Sequence, residues 1–415
     1  MLPLFPSTAR IDGSALTIGR VTAADLIAAH GSPLVVYDEA TIRAAARAYR
    51  EAAPDALIAY GTKAFPNLAI LRLLAEEGIG ADVSTLGEMR FAREAGIAGD
   101  RIVVHGNNKT DAELATAARE GALVVVDSLE EIERAETAGV TRTLVRFTPG
   151  IDADTHEAIR TAHHGSKFGL PAHDTIEALR RSPGIEGLHV HVGSQLLDLA
   201  DALMAVDFIA TFAAQARQAT GWEWTTLDLG GGLGVATSPD EPELPIGEYV
   251  RAVRNELDRA CGLHHLRRPN VIFEPGRSLV SHAGVTLYTV GSVKRVASAT
   301  TYVAVDGGMS DNARPALYGA RYTALLANRA DETPTDVYAI AGKHCESGDV
   351  LIEQVSLPQP RRGDVLAVPS TGAYTLGMGS NYNVTPRPAA VLVADGVARV
   401  IRRRETLDDL LALEA

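Results

Sequence analysis

The feature that most constrains this chain is a repeat of pattern, not of residues. From about residue 57 to residue 275, short apolar runs rich in β-branched side chains alternate with helical stretches. The runs are Leu57–Tyr60, Ala81–Val83, Ile102–Val104, Leu123–Val126, Thr143–Phe147, Gly187–His191, Thr226–Leu229 and Val271–Phe273. Continuous apolar runs of this kind suit parallel strands buried on both faces. Between them lie amphipathic helices. In one, Leu68, Leu71, Leu74 and Ala75 recur at helical spacing, with Arg72, Glu76 and Glu77 toward the surface and Gly78 as a stop. Another is Glu113–Glu120, closed by Gly121. Eight such units over roughly 220 residues predict an α/β fold, a (β/α)8 TIM barrel, which typically takes about 250 residues. An open doubly wound sheet is the alternative.

The placing of the unusual residues favours the barrel. Lys63, Asp82, His105, Asp127, His191, Gly230-Gly231-Gly232 and Glu274 all fall at or just after the C-terminal end of a strand. A barrel gathers those ends into one ring, where active sites sit; an open sheet spreads them along a line. After about residue 285 the texture changes to short β-like runs, among them Tyr302–Val305, Val337–Ile340, Val350–Val355 and Val365–Val368. Ala390–Ala394 and Val397–Ile401 flank Asp395-Gly396, a hairpin signal. The first 36 or so residues read as strand, helix (Ala23–Ala29) and strand. A barrel over residues 37–284 and a mostly β domain from 1–36 and 285–415 are therefore expected, and 415 residues suit two domains.

Composition narrows the partners. The net charge is −13, which disfavours nonspecific binding to nucleic acid or anionic membrane. The Arg402-Arg403-Arg404 run has no interleaved aromatics and is expected to be a solvated strand end. The two cysteines, Cys261 and Cys345, make no disulfide framework, so a reducing compartment is expected. The N-terminus shows no basic leader, and no apolar run approaches the roughly 18–20 residues of a membrane span. A cytoplasmic protein is the expectation.

Several segments can carry chemistry. Tyr60-Gly61-Thr62-Lys63 sets a lysine beyond the first barrel strand. Buried there, its pKa would fall and leave a nucleophilic amine, as a Schiff-base lysine needs; the alternative is an ordinary surface lysine. Asp228-Leu229-Gly230-Gly231-Gly232-Leu233-Gly234 follows the seventh strand. Its spacing fails the dinucleotide fingerprint and it lacks the P-loop lysine, but barrels often bind phosphate at the loops after strands seven and eight. A tight turn alone is the other reading. Glu274-Pro275-Gly276-Arg277 ends the eighth strand. A carboxylate there could hold the proton of a pyridine nitrogen, and Arg277 could reach a phosphate or carboxylate. A structural Glu–Arg pair is the alternative. His189-Val190-His191-Val192-Gly193-Ser194 ends the sixth strand. It admits a metal pair, an aromatic plate for a flat cofactor with a hydroxyl for its phosphate, or core histidines. The His163-His164 and His264-His265 pairs are expected to be solvated loops. Cys345-Glu346-Ser347-Gly348-Asp349 sits in the β domain, where the thiol could be a proton donor or a small buried hydrophobe.

Taken together these segments resemble the fold-type III pyridoxal-phosphate (PLP) decarboxylases, and most closely the diaminopimelate decarboxylase family. The matching segments are Tyr60–Ala64, Asp82–Glu88, His163–Gly169, His191–Gln195, Leu227–Gly234, Glu274–Arg277, Val305–Tyr318, Cys345–Asp349 and Gly372–Tyr374, in the family's order. The resemblance implies a PLP-binding barrel joined to a β domain, working as a homodimer with shared active sites. It implies that Lys63 carries the cofactor, that His191 stacks on its ring, and that Asp82, Ser194, Gly230, Gly231, Gly232 and Gly276 line its site. Glu274 would pair with the ring nitrogen, and Arg277 would lie near phosphate and substrate. Arg314, Tyr318 and Glu346 would bind the substrate's polar ends, and Tyr374 would touch cofactor and substrate. Cys345 would be the proton donor, delivered from the partner subunit. No metal is implied. One departure is Phe65, where many relatives carry asparagine. The implied reaction turns meso-diaminopimelate into L-lysine and CO2. The rivals are decarboxylation of ornithine, arginine or lysine, an alanine-racemase-like isomerase, a metal hydrolase, and an inactive regulatory binder on the same fold.

Overall fold

The computed structural model describes residues 2–148, 167–191, 193–296 and 300–414. The chain divides into two compact units. One comprises Ala45–Gly234 and Glu243–Ser278 and holds a closed barrel of eight parallel strands. These are β1 (Leu57–Gly61), β2 (Gly80–Val83), β3 (Ile102–Val104), β4 (Leu123–Val126), β5 (Thr143–Arg146), β6 (Gly187–His189), β7 (Thr226–Asp228) and β8 (Asn270–Phe273). The ring closes between β8 and β1, where Ile272 pairs with Leu57. The expected barrel is present, and the open sheet is not.

The barrel's interior is filled by Ala59, Val103, Leu123, Val125, Leu144 and Ile272, side chains of the kind that pack such a core. Four of the helices around it start from a side-chain cap. Asn67, Thr85, Thr110 and Ser128 accept backbone N–H groups at the heads of Leu68–Glu76, Leu86–Glu94, Asp111–Glu120 and Leu129–Thr137. Thr110 and Glu113 complete a capping box. Glu77, expected at the surface, is instead buried, and both its oxygens are held by Arg47.

The other unit comprises Met1–Ala44, Val235–Pro242 and Leu279–Ala415. Its long strand Gly284–Arg295 runs antiparallel to Leu34–Asp38, to Thr301–Val305 and to Val365–Val368. Leu34–Asp38 also pairs in parallel with Ala389–Ala394, which forms the expected hairpin with Val397–Arg402. Two apolar clusters flank this sheet. One includes Leu16, Leu26, Val36, Val285 and Val391; the other includes Tyr288, Val303, Ile340, Ile352 and Leu366. The basic run at its end is only partly solvated. Arg404 is half-buried and donates to Pro33 O at 2.6 Å and His30 O at 3.3 Å, so it closes the end of the helix Ala23–His30. Among the described residues, no helix is long and apolar enough to cross a membrane.

Candidate active site

Strand register builds the barrel's mouth. His189 on β6 pairs with Arg146 on β5 and with Asp228 on β7, and Asp228 pairs with Ile272 on β8. Paired residues on neighbouring strands point to the same face. Ile272 belongs to the barrel's interior, so Arg146, His189 and Asp228 point inward as well. Asp82 pairs with the interior residue Val103, and His105 and Glu274 stand two residues beyond Val103 and Ile272. The result is a layer of six polar side chains above an apolar plug: Asp82, His105, Arg146, His189, Asp228 and Glu274.

Within that layer His105 Nε2 lies 2.5 Å from Glu274 Oε1 and 3.9 Å from Asp82 Oδ1. His189 Nε2 lies 3.6 Å from Glu274 Oε2, and the two imidazoles pack edge-to-face at 4.7 Å. Asp228 Oδ1 accepts the Gly230 N–H at 2.8 Å. Burial opposes ionisation of Glu274, but the adjacent His105 and His189 outweigh it and hold the carboxyl well below its usual range. Burial, and then the Glu274 carboxylate, push Asp228 well above its usual range. Burial drives His189 well below the ordinary histidine value. The ligand-type atoms of His105, His189, Asp228 and Glu274 lie within 4.8 Å of one another. An ion between two ligands at about 2.0–2.2 Å each needs them roughly 3 Å apart or more. The 2.5 Å contact of His105 with Glu274 is of hydrogen-bond length and is too short for both atoms to ligate one ion.

Lys63 sits in the short turn Thr62–Ala64 after β1, where Thr62 Oγ1 binds Asp82 O at 2.8 Å. Its ammonium meets Asp82 Oδ2 at 3.1 Å, yet the side chain is 55% exposed. Of the two readings, a buried amine and a surface lysine, this chain by itself gives an exposed lysine oriented by an ion pair. β6 ends at His189, so His191 lies just beyond the strand, and both imidazoles approach the Gly230 turn. Burial, then the Lys63 and Arg146 cations, lower the His191 pKa to about 4, so its ring is neutral at pH 7. Ser194 is exposed in the loop that follows.

The glycine turn after β7 tolerates no side chain. A Cβ on Gly231 would stand 2.4 Å from Glu274 O, and one on Gly232, at φ +120°, would stand 2.6 Å from Gly193 O. Anything seated on this turn meets backbone. Glu274 N–H donates to Gly230 O at 2.8 Å, and Gly61 N–H to Pro275 O at 3.1 Å, so the ends of β7, β8 and β1 are tied together. Gly276 is buried, and Arg277 opens the short helix Arg277–Val280.

The β unit holds the remaining expected residues. Asp349 accepts the N–H groups of Met309 and His344 at 2.7 and 2.8 Å, and His344 Nε2 meets Ser310 Oγ at 2.8 Å. These bonds frame a loop on which Cys345 and Glu346 are exposed. Cys345 N–H donates to Asn383 Oδ1 at 3.2 Å, and Tyr382 OH to Glu346 Oε2 at 3.5 Å. Arg314 is buried, with Nη1 donating to Tyr322 OH at 2.5 Å, whereas Tyr318 is 67% exposed. Tyr374 is half-buried at φ +57°.

Comparison with known proteins decides the family. Residues 39–281 match the model of the pyridoxal-dependent decarboxylase pyridoxal-binding domain. The chain is 44% identical to the diaminopimelate decarboxylase of Actinosynnema pretiosum subsp. auranticum, over 99% of this chain and 95% of that one. It is 42% identical to the diaminopimelate decarboxylase of Bacillus subtilis, over 96% and 95% of the two chains. The crystal structure of diaminopimelate decarboxylase from M. jannaschii in complex with L-lysine superposes with a TM-score of 0.93 at 32% identity, covering 99% of this chain and 98% of that one.

This chain belongs to the diaminopimelate decarboxylase family.

The cofactor of these decarboxylases is pyridoxal 5′-phosphate, and the barrel of this family member fits it. The mouth offers an accessible amine at Lys63, an anionic carboxylate at Glu274 and a turn whose bare backbone suits a phosphate. Sequence reasoning noticed His105 at a strand end, and Asp228 and His189 inside motifs, but gave none of them a partner. It passed over Arg146 and Lys109 entirely. Lys109 is fully buried, with Nζ donating to Gly106 O, Val125 O and both oxygens of Glu131. A lysine five residues beyond a strand end, with a glutamate in the first turn of the helix after the following strand, was the available signal. The His163-His164 pair, and most of the segment around it, lie outside the described residues.

Proposed function

We propose that this chain removes CO2 from meso-diaminopimelate to give L-lysine, as a cytoplasmic homodimer whose subunits share each active site. The observation that carries the reading is full-length likeness to diaminopimelate decarboxylases, 44% identical over 99% of the chain. Bound pyridoxal 5′-phosphate supplies an electron sink for the pair of electrons left behind when CO2 departs.

Lys63 would hold the cofactor through its amine, aimed by Asp82 and left accessible by its exposure. Gly230, Gly231, Gly232, Ser194 and Gly276 would seat the phosphate, with Arg277 between phosphate and substrate. His191 would lie on the ring face as a neutral imidazole. Glu274, an anion, would keep the ring nitrogen protonated. Arg314, Tyr318, Glu346 and Tyr374 would hold the substrate's polar ends. The carbon that loses CO2 keeps the bonding electrons and takes one proton. Cys345 of the partner subunit would deliver it from its thiol, and the exposure of that loop leaves the thiol available to another chain.

CO2 release should be assayed with meso-diaminopimelate, L-lysine, L-ornithine and L-arginine. Strong preference for meso-diaminopimelate is expected. Comparable efficiency on L-ornithine would assign the chain to the rival decarboxylases. No release from PLP-loaded protein would make it a binder.

A further inference from the structure

Three groups around Glu274 have no part in the reading above. His105 Nε2 is 2.5 Å from Glu274 Oε1, and His189 Nε2 is 3.6 Å from Oε2. Asp228 completes the set, within 4.8 Å of the others. Its Oδ1 accepts one backbone N–H, while Oδ2 is buried and, among the described residues, has no hydrogen-bond partner. Two carboxyls this close and this sealed from water do not both ionise; one retains a proton. The contacts say which. Glu274 has one imidazole nitrogen at hydrogen-bond distance and a second at 3.6 Å, whereas Asp228 accepts one backbone N–H; imidazoles in the tautomer that donates favour Glu274 as the anion. The neighbouring groups complete the picture: Asp82 stands 3.9 Å from His105, the Arg146 cation acts on His189, and Lys63 and Arg146 act on the neutral His191.

We propose that His105 and Asp228 are positioning residues that form one proton-sharing cluster with Glu274, in which Asp228 stays a neutral acid and Glu274 alone carries the negative charge. This rests on the reading that Glu274 faces the cofactor's ring nitrogen. Burial and the neighbouring carboxylate raise Asp228 well above its usual range, in agreement with the geometry. His105 orients the Glu274 oxygens and keeps them from taking up a proton. The proton held on Asp228 limits the negative charge buried beneath the ring.

The test uses protein loaded with pyridoxal 5′-phosphate labelled with 15N in its ring, read by NMR. Wild type should show a protonated ring nitrogen. His105→Phe should move that signal toward the unprotonated position, and His105→Gln, which still offers an N–H, should restore most of it. Asp228→Asn mimics the neutral acid and should leave the signal in place. If Asp228→Asn moves it as far as His105→Phe does, Asp228 is ionised and the assignment falls. If Glu274→Gln moves the signal but His105→Phe does not, the cluster falls while the role of Glu274 stands. If Glu274→Gln changes nothing, both fall. A second measurement needs neither cofactor nor a His105 variant. Infrared spectra of cofactor-free wild type should contain a protonated-carboxyl band that Asp228→Asn removes. A wild-type spectrum without that band overturns the proposal.

Discussion

At the scale of single residues, two side chains make the reading quantitative. Arg314 is buried, and Tyr322 OH is the acceptor that the structure gives it. A substrate without a second carboxylate would leave this guanidinium short of an anionic partner, and a charged hydrogen bond is worth about 1.5–3 kcal/mol, or roughly ten- to a hundredfold in efficiency. Arg314→Ala should therefore lower kcat/KM for meso-diaminopimelate by at least that factor and narrow the gap to L-lysine. An unchanged substrate ranking would remove Arg314 from substrate recognition. His191 makes a prediction about pH. Its pKa falls from about 6.5 unfolded to about 4 folded, so the unfolded chain binds the extra proton between those values. Stability supplied by the neutral ring is thus complete above pH 6.5 and is lost as the pH falls toward 4. In urea unfolding of cofactor-free protein, wild type should weaken across that window more than His191→Gln does.

At the scale of elements, the loop after β3 is pinned from behind. Lys109 binds Gly106 O at 2.8 Å, beside His105, and Val125 O at 2.6 Å on β4, and Glu131 completes the pair while accepting the Asp127 N–H at 2.7 Å. Burial pulls the Lys109 pKa down, and Glu131 opposes the fall. Lys109→Met would strand Glu131 as an uncompensated buried charge and should cost about 3–5 kcal/mol, read as a lower urea midpoint. Adding Glu131→Leu should recover part of the loss, but not the part owed to the Asp127 N–H. These elements also show what can be read from sequence. β-branched apolar runs and their Ser, Thr and Asn caps are local, so β3 and β4 lie at Ile102–Val104 and Leu123–Val126 as expected. The strand-end position of Lys63, Asp82, His191 and Glu274 was legible for the same reason. The His105–Glu274 contact was not, because it joins β3 to β8 across the mouth and depends on how the ring closes. Nor was the Lys63–Asp82 ion pair, which joins the ends of β1 and β2.

At the scale of the whole molecule, the shared-site reading predicts complementation. Lys63→Ala and Cys345→Ala should each be nearly inactive alone. A mixed dimer would carry both lesions at one site and neither at the other, because a two-fold axis repeats every contact reciprocally. Equal amounts, freely exchanged, make about half the dimers mixed, so roughly a quarter of wild-type activity should return. No recovery, with exchange confirmed by mass, would place both residues in one chain. The β unit's wiring has a separate consequence. Leu34–Asp38 is buried along its whole length, and Val36 pairs on one side with Val285 and on the other with Val391. On a ribosome adding about 5–20 residues per second, those partners emerge roughly 250 and 350 residues later, after tens of seconds at the slower rates. Until then the nascent chain offers an apolar strand with two open edges, a template for association with other chains. Translation speed and chaperone supply, more than the stability of the finished protein, should govern how much soluble enzyme a foreign host yields.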